Sequence, residues 1–247
     1  MQKNSKYSIS VFFPCYNDKG TIATLVLEAQ SVLEKLTNDF EIIVIDDGST
    51  DGSRDLLLKL QHDVHQLRLV MHDKNKGYGG ALKSGFKAAT KELVFYTDGD
   101  GQYDVKEIPK LLEKMTDDVD IVNGYKIKRH DPLHRVIIGY IYQEIMRLAF
   151  HLPIKDPDCD FRLMRRKIFE KINLKSNTGT ICIELVKKAQ QAGFKFAEVG
   201  VSHYFRVYGK SQFFNFKRVF KTLAKLITLW FELIIFKQNK KNEKVTN

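Results

Sequence analysis

Apolar residues along this chain follow two alternating rhythms. Ser8-Ile-Ser-Val-Phe-Phe13, Glu41-Ile-Ile-Val-Ile45 and Glu92-Leu-Val-Phe-Tyr-Thr97 are strand-length runs rich in β-branched and aromatic residues, and each closes on a polar or acidic segment. Between the first two, Thr21 to Leu36 sets Ile22, Leu25, Val26 and Leu33 at helical spacing, and Arg54 to Leu60 repeats that pattern. Strand, helix, strand, helix predicts parallel strands joined by right-handed crossovers. In such an α/β fold the three polar loops gather at one edge of the sheet, where ligands bind.

Two later stretches are amphipathic. Leu133 to Leu152 is apolar around a narrow polar stripe of Gln143, Glu144 and Arg147, which suits a buried core helix or a lipid contact equally. Phe216 to Phe236 sets Phe216, Val219, Phe220, Leu223, Ile227, Trp230 and Ile234 against Lys217, Arg218, Lys221, Lys225, Thr228 and Glu232. Its charge-free run, Leu226 to Phe231, falls well short of the roughly 18 apolar residues a spanning helix needs. The pattern predicts a helix lying on an anionic membrane surface, with packing on the catalytic domain or in a dimer as the alternative.

Charge sharpens that reading. The chain of 247 residues carries a net charge of +10, and from Arg206 to Asn247 ten Lys and Arg face only Glu232 and Glu243. The strongly apolar side of the helix and the lack of any nucleic-acid motif argue against nucleic acid as the partner. With 43% hydrophobic residues and only 5 prolines, the expectation is one catalytic domain over 1–212 and an appended helix and tail over 213–247. On that reading the domain would survive removal of everything after Ser211. Three cysteines without metal-type spacing, and an N-terminus without an apolar leader core, predict a reduced cytoplasmic setting.

Candidate chemistry centres on Asp98-Gly99-Asp100-Gly101-Gln102. Two carboxylates one residue apart at a strand end can turn together toward a divalent cation, and they can also serve as an acidic turn. In Asp46-Asp47-Gly-Ser-Thr-Asp51-Gly-Ser, Asp51 reads as a helix cap and Asp47 as the better ligand. Gly77, Gly79, Gly80 and Gly85 do not form a dinucleotide fingerprint, and Lys83 does not complete a P-loop; close helix packing is their expected task.

Several of these segments carry a resemblance. Pro14-x-Tyr16-Asn17, the Asp46–Ser53 run, Asn75-x-Gly77-x-Gly79-Gly80-Ala81 with Gly85, and Asp98–Gln102 resemble, in order, the signatures of inverting family 2 glycosyltransferases of GT-A fold. Asp156-Pro-Asp-Cys-Asp-Phe161-Arg162 and Arg206-Val-Tyr-Gly209-Lys210-Ser211 resemble the dolichol-phosphate mannose synthase branch. The resemblance implies a mostly parallel sheet flanked by helices. It implies transfer of a sugar, with inversion, from GDP-mannose or a UDP-sugar to a dolichyl or undecaprenyl phosphate at the cytoplasmic membrane face. It implies Mg²⁺ or Mn²⁺ at Asp98, Asp100 and Gln102, and a nucleotide-sugar pocket from Pro14, Tyr16, Asp18, Ile45, Asp47, Asp98, Gly99 and Asp100. Where the family often has Glu, this chain has the shorter Asp18. Lys126, Arg135, Arg206 and Lys210 are implied at the acceptor phosphate, and Asp98, Asp100 and Arg206 as the catalytic residues. The branch sometimes carries its lysine two places after Lys210, where this chain has Gln212.

A phosphate monoester is largely a dianion at neutral pH and needs no general base. If the acceptor were instead a sugar or protein hydroxyl, a positioned carboxylate would be required, and Glu184 or Asp156 would be the base. A nucleotidyltransferase would need a Gly-rich basic loop after the first strand, which Pro14–Asp18 is not. A non-catalytic membrane adaptor would have no use for the Asp98, Asp100 and Gln102 set.

Overall fold

The computed structural model describes residues 6–129, 133–206, 208 and 216–236, with side chains for all of these except 128–129, 133–135 and 216–221. In chain order the elements are β1 (Ile9–Cys15), α1 (Ile22–Leu36), β2 (Phe40–Asp46), α2 (Ser53–Asp63), β3 (Leu67–Met71), α3 (Tyr78–Ala88) and β4 (Leu93–Thr97). A 3-10 turn (Val105–Glu107) then leads into α4 (Ile108–Lys114), β5 (Ile121–Arg129), α5 (Leu133–Phe150), β6 (Phe161–Arg165), α6 (Ile168–Lys171), α7 (Ile181–Gln191), β7 (Phe196–His203) and α8 (Phe216–Trp230). The last helix continues into a π-helical turn, Phe231–Ile235.

Seven strands form one sheet in the order β3-β2-β1-β4-β6-β5-β7. The first four are mutually parallel, as their alternation with helices predicts. β6 runs antiparallel to both β4 and β5, and β5 pairs parallel with β7, so the sheet is mixed on its second half. Strand order reverses between β1 and β4, and a crevice opens at such a reversal, outside the C-terminal strand ends. Both polar loops that follow those strands face it.

Period-two alternation explains why the sheet is coated on both faces. Ile9, Val11, Phe13 and Cys15 of β1 and Ile42 and Val44 of β2 pack with Leu25, Val26, Ala29 and Leu33 of α1 and Ile108 and Leu111 of α4. Phe12, Ile43, Ile45, Val94 and Tyr96 point the other way, against Ala81, Leu82 and Phe86 of α3 and Ile181, Cys182 and Leu185 of α7.

A third apolar cluster changes the expectation for the C-terminal helix. Leu226 and Leu229 of α8 and Leu233 and Ile234 of the π-helical turn are buried with Met146 and Phe150 of α5 and Ile183 and Val186 of α7. The Trp230 indole N–H donates to the Ala149 carbonyl at 2.8 Å. Packing on the domain, the alternative to a membrane surface, therefore accounts for one side of α8. Leu223, Ile227, Phe231 and Phe236 remain exposed on the other, so the helix has two apolar faces where its basic stripe suggested one. α5 is likewise divided: Met146 and Phe150 face inward, while Ile137, Ile138, Tyr140, Ile141, Ile145 and Leu148 are exposed. No helix among the described residues is long and apolar enough to cross a membrane.

Candidate active site

Three loops interlock at the strand reversal. Gly99 lies so close to β1 that a Cβ there would stand 2.6 Å from the Pro14 carbonyl oxygen, and the Thr21 hydroxyl donates to the Gly99 carbonyl at 2.7 Å. Asn17 adopts a positive φ of 60°, which Asn tolerates well, and its side chain accepts from the Thr50 N–H at 2.8 Å. Asp51 accepts from the Ser53 N–H at 2.9 Å and the Lys19 N–H at 3.0 Å, the helix-start role expected of it.

Of the pocket residues implied by the resemblance, Pro14, Tyr16, Asp18, Asp98, Gly99 and Asp100 come together around this junction. Tyr16 exposes its ring, as a face for a base requires. Asp47 is nearly fully buried and heavily engaged. Its carboxylate meets His72 Nδ1 at 2.6 Å and accepts from the N–H groups of Lys76 and Gly77 at 2.8 and 3.0 Å. His72 Nε2 in turn meets the Ser84 hydroxyl at 2.9 Å. Asp47 thus anchors the loop leading into α3, a task its sequence context does not announce. The Ile45 side chain is wholly buried in the core beneath α3.

Asp98 and Asp100 sit where like charges accumulate. Burial, followed by the charges of Asp160 and Asp100, pushes the Asp98 carboxyl well above the usual carboxylate range. Asp100 is also raised by burial, with Arg206 opposing the shift, and burial lifts Asp18 to about 6 against the same arginine. Clustered oxygen donors that resist carrying their charges suit a divalent cation. Gln102 turns its amide N–H toward the Tyr204 carbonyl at 3.1 Å. Among the described residues no three His, Cys, Asp or Glu side chains converge as a complete cage, so substrate phosphate and water would have to fill a hard cation's shell.

Arg206 is drawn into the carboxylates. Its guanidinium meets Asp18 at 2.8 Å and Asp100 at 3.3 Å. Lys126, on β5, is nearly buried and lies 3.4 Å from Asp156. It lines a cleft of about 310 Å³ with Asp156 and with Val136, Ile137, Tyr140 and Gln143 of α5. Arg135 belongs to α5, but its side chain lies outside the described residues, as does all of Lys210.

Tyr78, Asp160, Tyr96 and Arg162 also belong to this cluster. The Tyr78 hydroxyl donates to Asp98 at 2.7 Å from the first residue of α3. Asp160 accepts from the Tyr96 hydroxyl and the Cys182 thiol, both at 3.1 Å. Fully buried Arg162 holds the Tyr96 oxygen at 3.0 Å and the Pro157 carbonyl at 3.1 Å. Three acids at alternate positions, Asp156, Asp158 and Asp160, just ahead of a strand were the available signal. Replacing Tyr78 by Phe keeps the ring and removes the hydroxyl that orients Asp98. On the order of 10- to 100-fold weaker divalent-cation binding is expected, with the melting temperature nearly unchanged, as calorimetric Mn²⁺ titration and a thermal melt would report.

Comparison with known proteins bears on family and fold. The curated relatives include undecaprenyl-phosphate 4-deoxy-4-formamido-L-arabinose transferases from Photorhabdus laumondii subsp. laumondii, 27% identical over 228 residues, and Salmonella choleraesuis, 28% identical over 222 residues. The alignments cover 92% and 89% of this chain and 66% of each relative, so the chain spans just under two thirds of their length. Among solved structures, glucosyl-3-phosphoglycerate synthase from Mycobacterium tuberculosis, in complex with Mn²⁺, UDP and phosphoglyceric acid, superposes with a TM-score of 0.64 at 19% identity. That match covers 81% of this chain and 72% of the synthase. The mannosyltransferase PcManGT from Pyrobaculum calidifontis, in complex with GDP-Man and Mn²⁺, gives 0.64 at 18% identity over 85% of this chain and 59% of its own. At these identities the likeness establishes the fold, which is GT-A. The model described as glycosyl transferase family 2 matches residues 10–173, and the chain is therefore a member of that family.

Proposed function

We propose that the protein transfers a sugar, with inversion, from a nucleotide-diphosphate sugar to a polyprenyl phosphate at a membrane surface. The observation that carries this reading is the cleft between β5 and α5. Nearly buried Lys126, paired with Asp156 and joined by Gln143, forms its polar side, Val136, Ile137 and Tyr140 form the rest, and Ile137 and Tyr140 belong to the exposed apolar face of α5. A phosphate on an isoprenoid chain matches both halves of that lining. The curated relatives, named for undecaprenyl-phosphate transfer, support the same acceptor class.

The chemistry needs little from the acceptor side. A phosphate oxygen, already anionic, attacks the anomeric carbon as the bond from that carbon to the donor diphosphate breaks, and the electron pair leaves with the nucleoside diphosphate. No proton has to be removed. Bound at Asp98 and Asp100 with the side-chain carbonyl oxygen of Gln102, Mg²⁺ or Mn²⁺ would offset the charge of that leaving group. Tyr78 orients Asp98, Tyr16 offers a ring to the base, and Arg206 and Lys126 supply positive charge for the phosphates. Asp160, held by Tyr96 and Cys182, adds a fixed negative potential beside the two carboxylates on the metal side.

The two carboxylates either of which could serve as base for a hydroxyl acceptor are otherwise engaged. Glu184 accepts from the N–H groups of Lys175 and Ser176 at 2.9 and 2.8 Å and pairs with Lys188. Burial alone would raise it, but these bonds win and hold it below its ordinary value. Asp156 is taken by Gln143 and Lys126.

Membrane attachment, on this reading, uses the exposed faces of α5 and α8, with exposed Lys225 of α8 available to anionic headgroups. The test is a screen of radiolabelled donor sugars against a polyprenyl phosphate in detergent, following label into the lipid phase. Label that stays in a water-soluble product would overturn the acceptor. In the productive pair, Lys126→Met should raise the acceptor KM roughly tenfold or more and leave the donor KM near wild type.

A further inference from the structure

The segment Tyr204–Arg206 is strapped across the acidic site. The Tyr204 N–H donates to the Gln102 carbonyl at 2.8 Å, and the Gln102 side chain returns a bond to the Tyr204 carbonyl. Arg206 Nε donates to the Tyr208 carbonyl at 2.8 Å, which leaves both terminal nitrogens for Asp18 and Asp100. Tyr208 then lies over Gly20 so closely that a Cβ there would sit 2.6 Å from its ring. Each fixed point lies on a loop of the donor site.

One guanidinium therefore engages two carboxylates that the donor and its cation also need. The Asp18 and Asp100 side chains are each only 11% exposed, and carboxylates so enclosed need a cation at contact distance. A divalent ion bonded to Asp100 puts two positive charges beside a fixed one, and like charges a few ångströms apart in a partly buried site repel strongly. Keeping both is costly; exchanging them is not, provided the guanidinium finds another anion. Phosphate is such an anion, and the planar fork of arginine fits it as well as it fits carboxylate.

We propose that Arg206 is the built-in counter-ion of this site, competing with the divalent cation for Asp100 and turning from carboxylate to phosphate as the cation binds. The proposal rests on Asp98 and Asp100 being the cation's ligands. It assigns Arg206 two opposite effects: it opposes binding of the metal alone and assists transfer once phosphate is present. A purely structural arginine would give only losses.

The test is Mn²⁺ titration of the full chain without nucleotide, read from the electron paramagnetic resonance signal of free Mn²⁺. Arg206→Gln should bind Mn²⁺ on the order of tenfold more tightly than wild type, with Arg206→Lys in between, although both transfer sugar more slowly. Adding nucleoside diphosphate should narrow the gap, because phosphate then relieves the arginine in wild type. Equal or weaker Mn²⁺ binding by Arg206→Gln overturns the proposal. Asp100→Asn in the same titration separates the two readings: wild-type binding there removes the metal role and the proposal with it. Lost binding there, with Arg206→Gln unchanged, removes the proposal alone. Should Arg206→Gln lack a wild-type melting transition, wild type decides: Mn²⁺ without nucleotide should speed tryptic cleavage after Arg206 several-fold, and unchanged cleavage overturns the exchange.

Discussion

Asp100→Asn should reduce transfer to background while leaving the protein folded. The substitution keeps the side chain's shape and its acceptance of the Gln102 N–H, seen at 3.1 Å, but removes one of the charges grouped at the end of β4. A carboxylate that burial has already raised stabilises the fold little, so its loss should not lower the melting temperature. Transition-state charge on the departing diphosphate would be left without its offset, and losses of metal catalysis amount to several kcal/mol. Steady-state rates beside a melting curve, with excess chelator on wild type as a parallel arm, check this. Full activity in chelator would remove the metal from the mechanism.

The second large effect is on stability. Ending the chain after Ser211 should unfold or aggregate it, contrary to what the basic stripe of the C-terminal helix alone suggests. Leu226, Leu229, Leu233 and Ile234 complete a cluster with Met146, Phe150, Ile183 and Val186, and removing them would uncover that floor to water. Leu229→Ala is the measured step toward it. A buried leucine truncated in a well-packed cluster costs about 2 to 5 kcal/mol, set against a total of about 5 to 15. Ile227, two residues earlier on the same helix, is exposed and serves as the control: Ile227→Ala should change the urea midpoint very little. Equal shifts for the two variants would mean that α8 does not pack through Leu229.

Which parts of this could be read without coordinates follows the range of the interactions. Strand runs ending in acids and a helical repeat between them are local signals, and they led to the parallel half of the sheet and to Asp98 and Asp100. Asp51 was likewise legible as belonging to a helix start: it accepts from the N–H two residues on, with Gly52 in the cap position itself. The engagement of Asp47 was not, since His72, Lys76 and Gly77 reach it from the neighbouring strand's loop. Arg206 was expected at a phosphate, whereas its contacts are carboxylates 188 and 106 residues away. The C-terminal helix misled for a different reason. It carries two apolar stripes, and a pattern cannot say which stripe meets protein.

Antiparallel β6 has a consequence for how this enzyme can diversify. Its register, Thr97 opposite Phe161, brings the start of one strand to the end of another, so Asp160 arrives beside Asp98 without lengthening any loop. Asp18, Asp98 and Asp100 of the first half therefore meet Asp160 and Arg206 of the second along one seam. Changes in the later stretch that spare Asp160 and Arg206, which reach back to Asp98, Asp18 and Asp100, can accumulate while the acidic site keeps its shape.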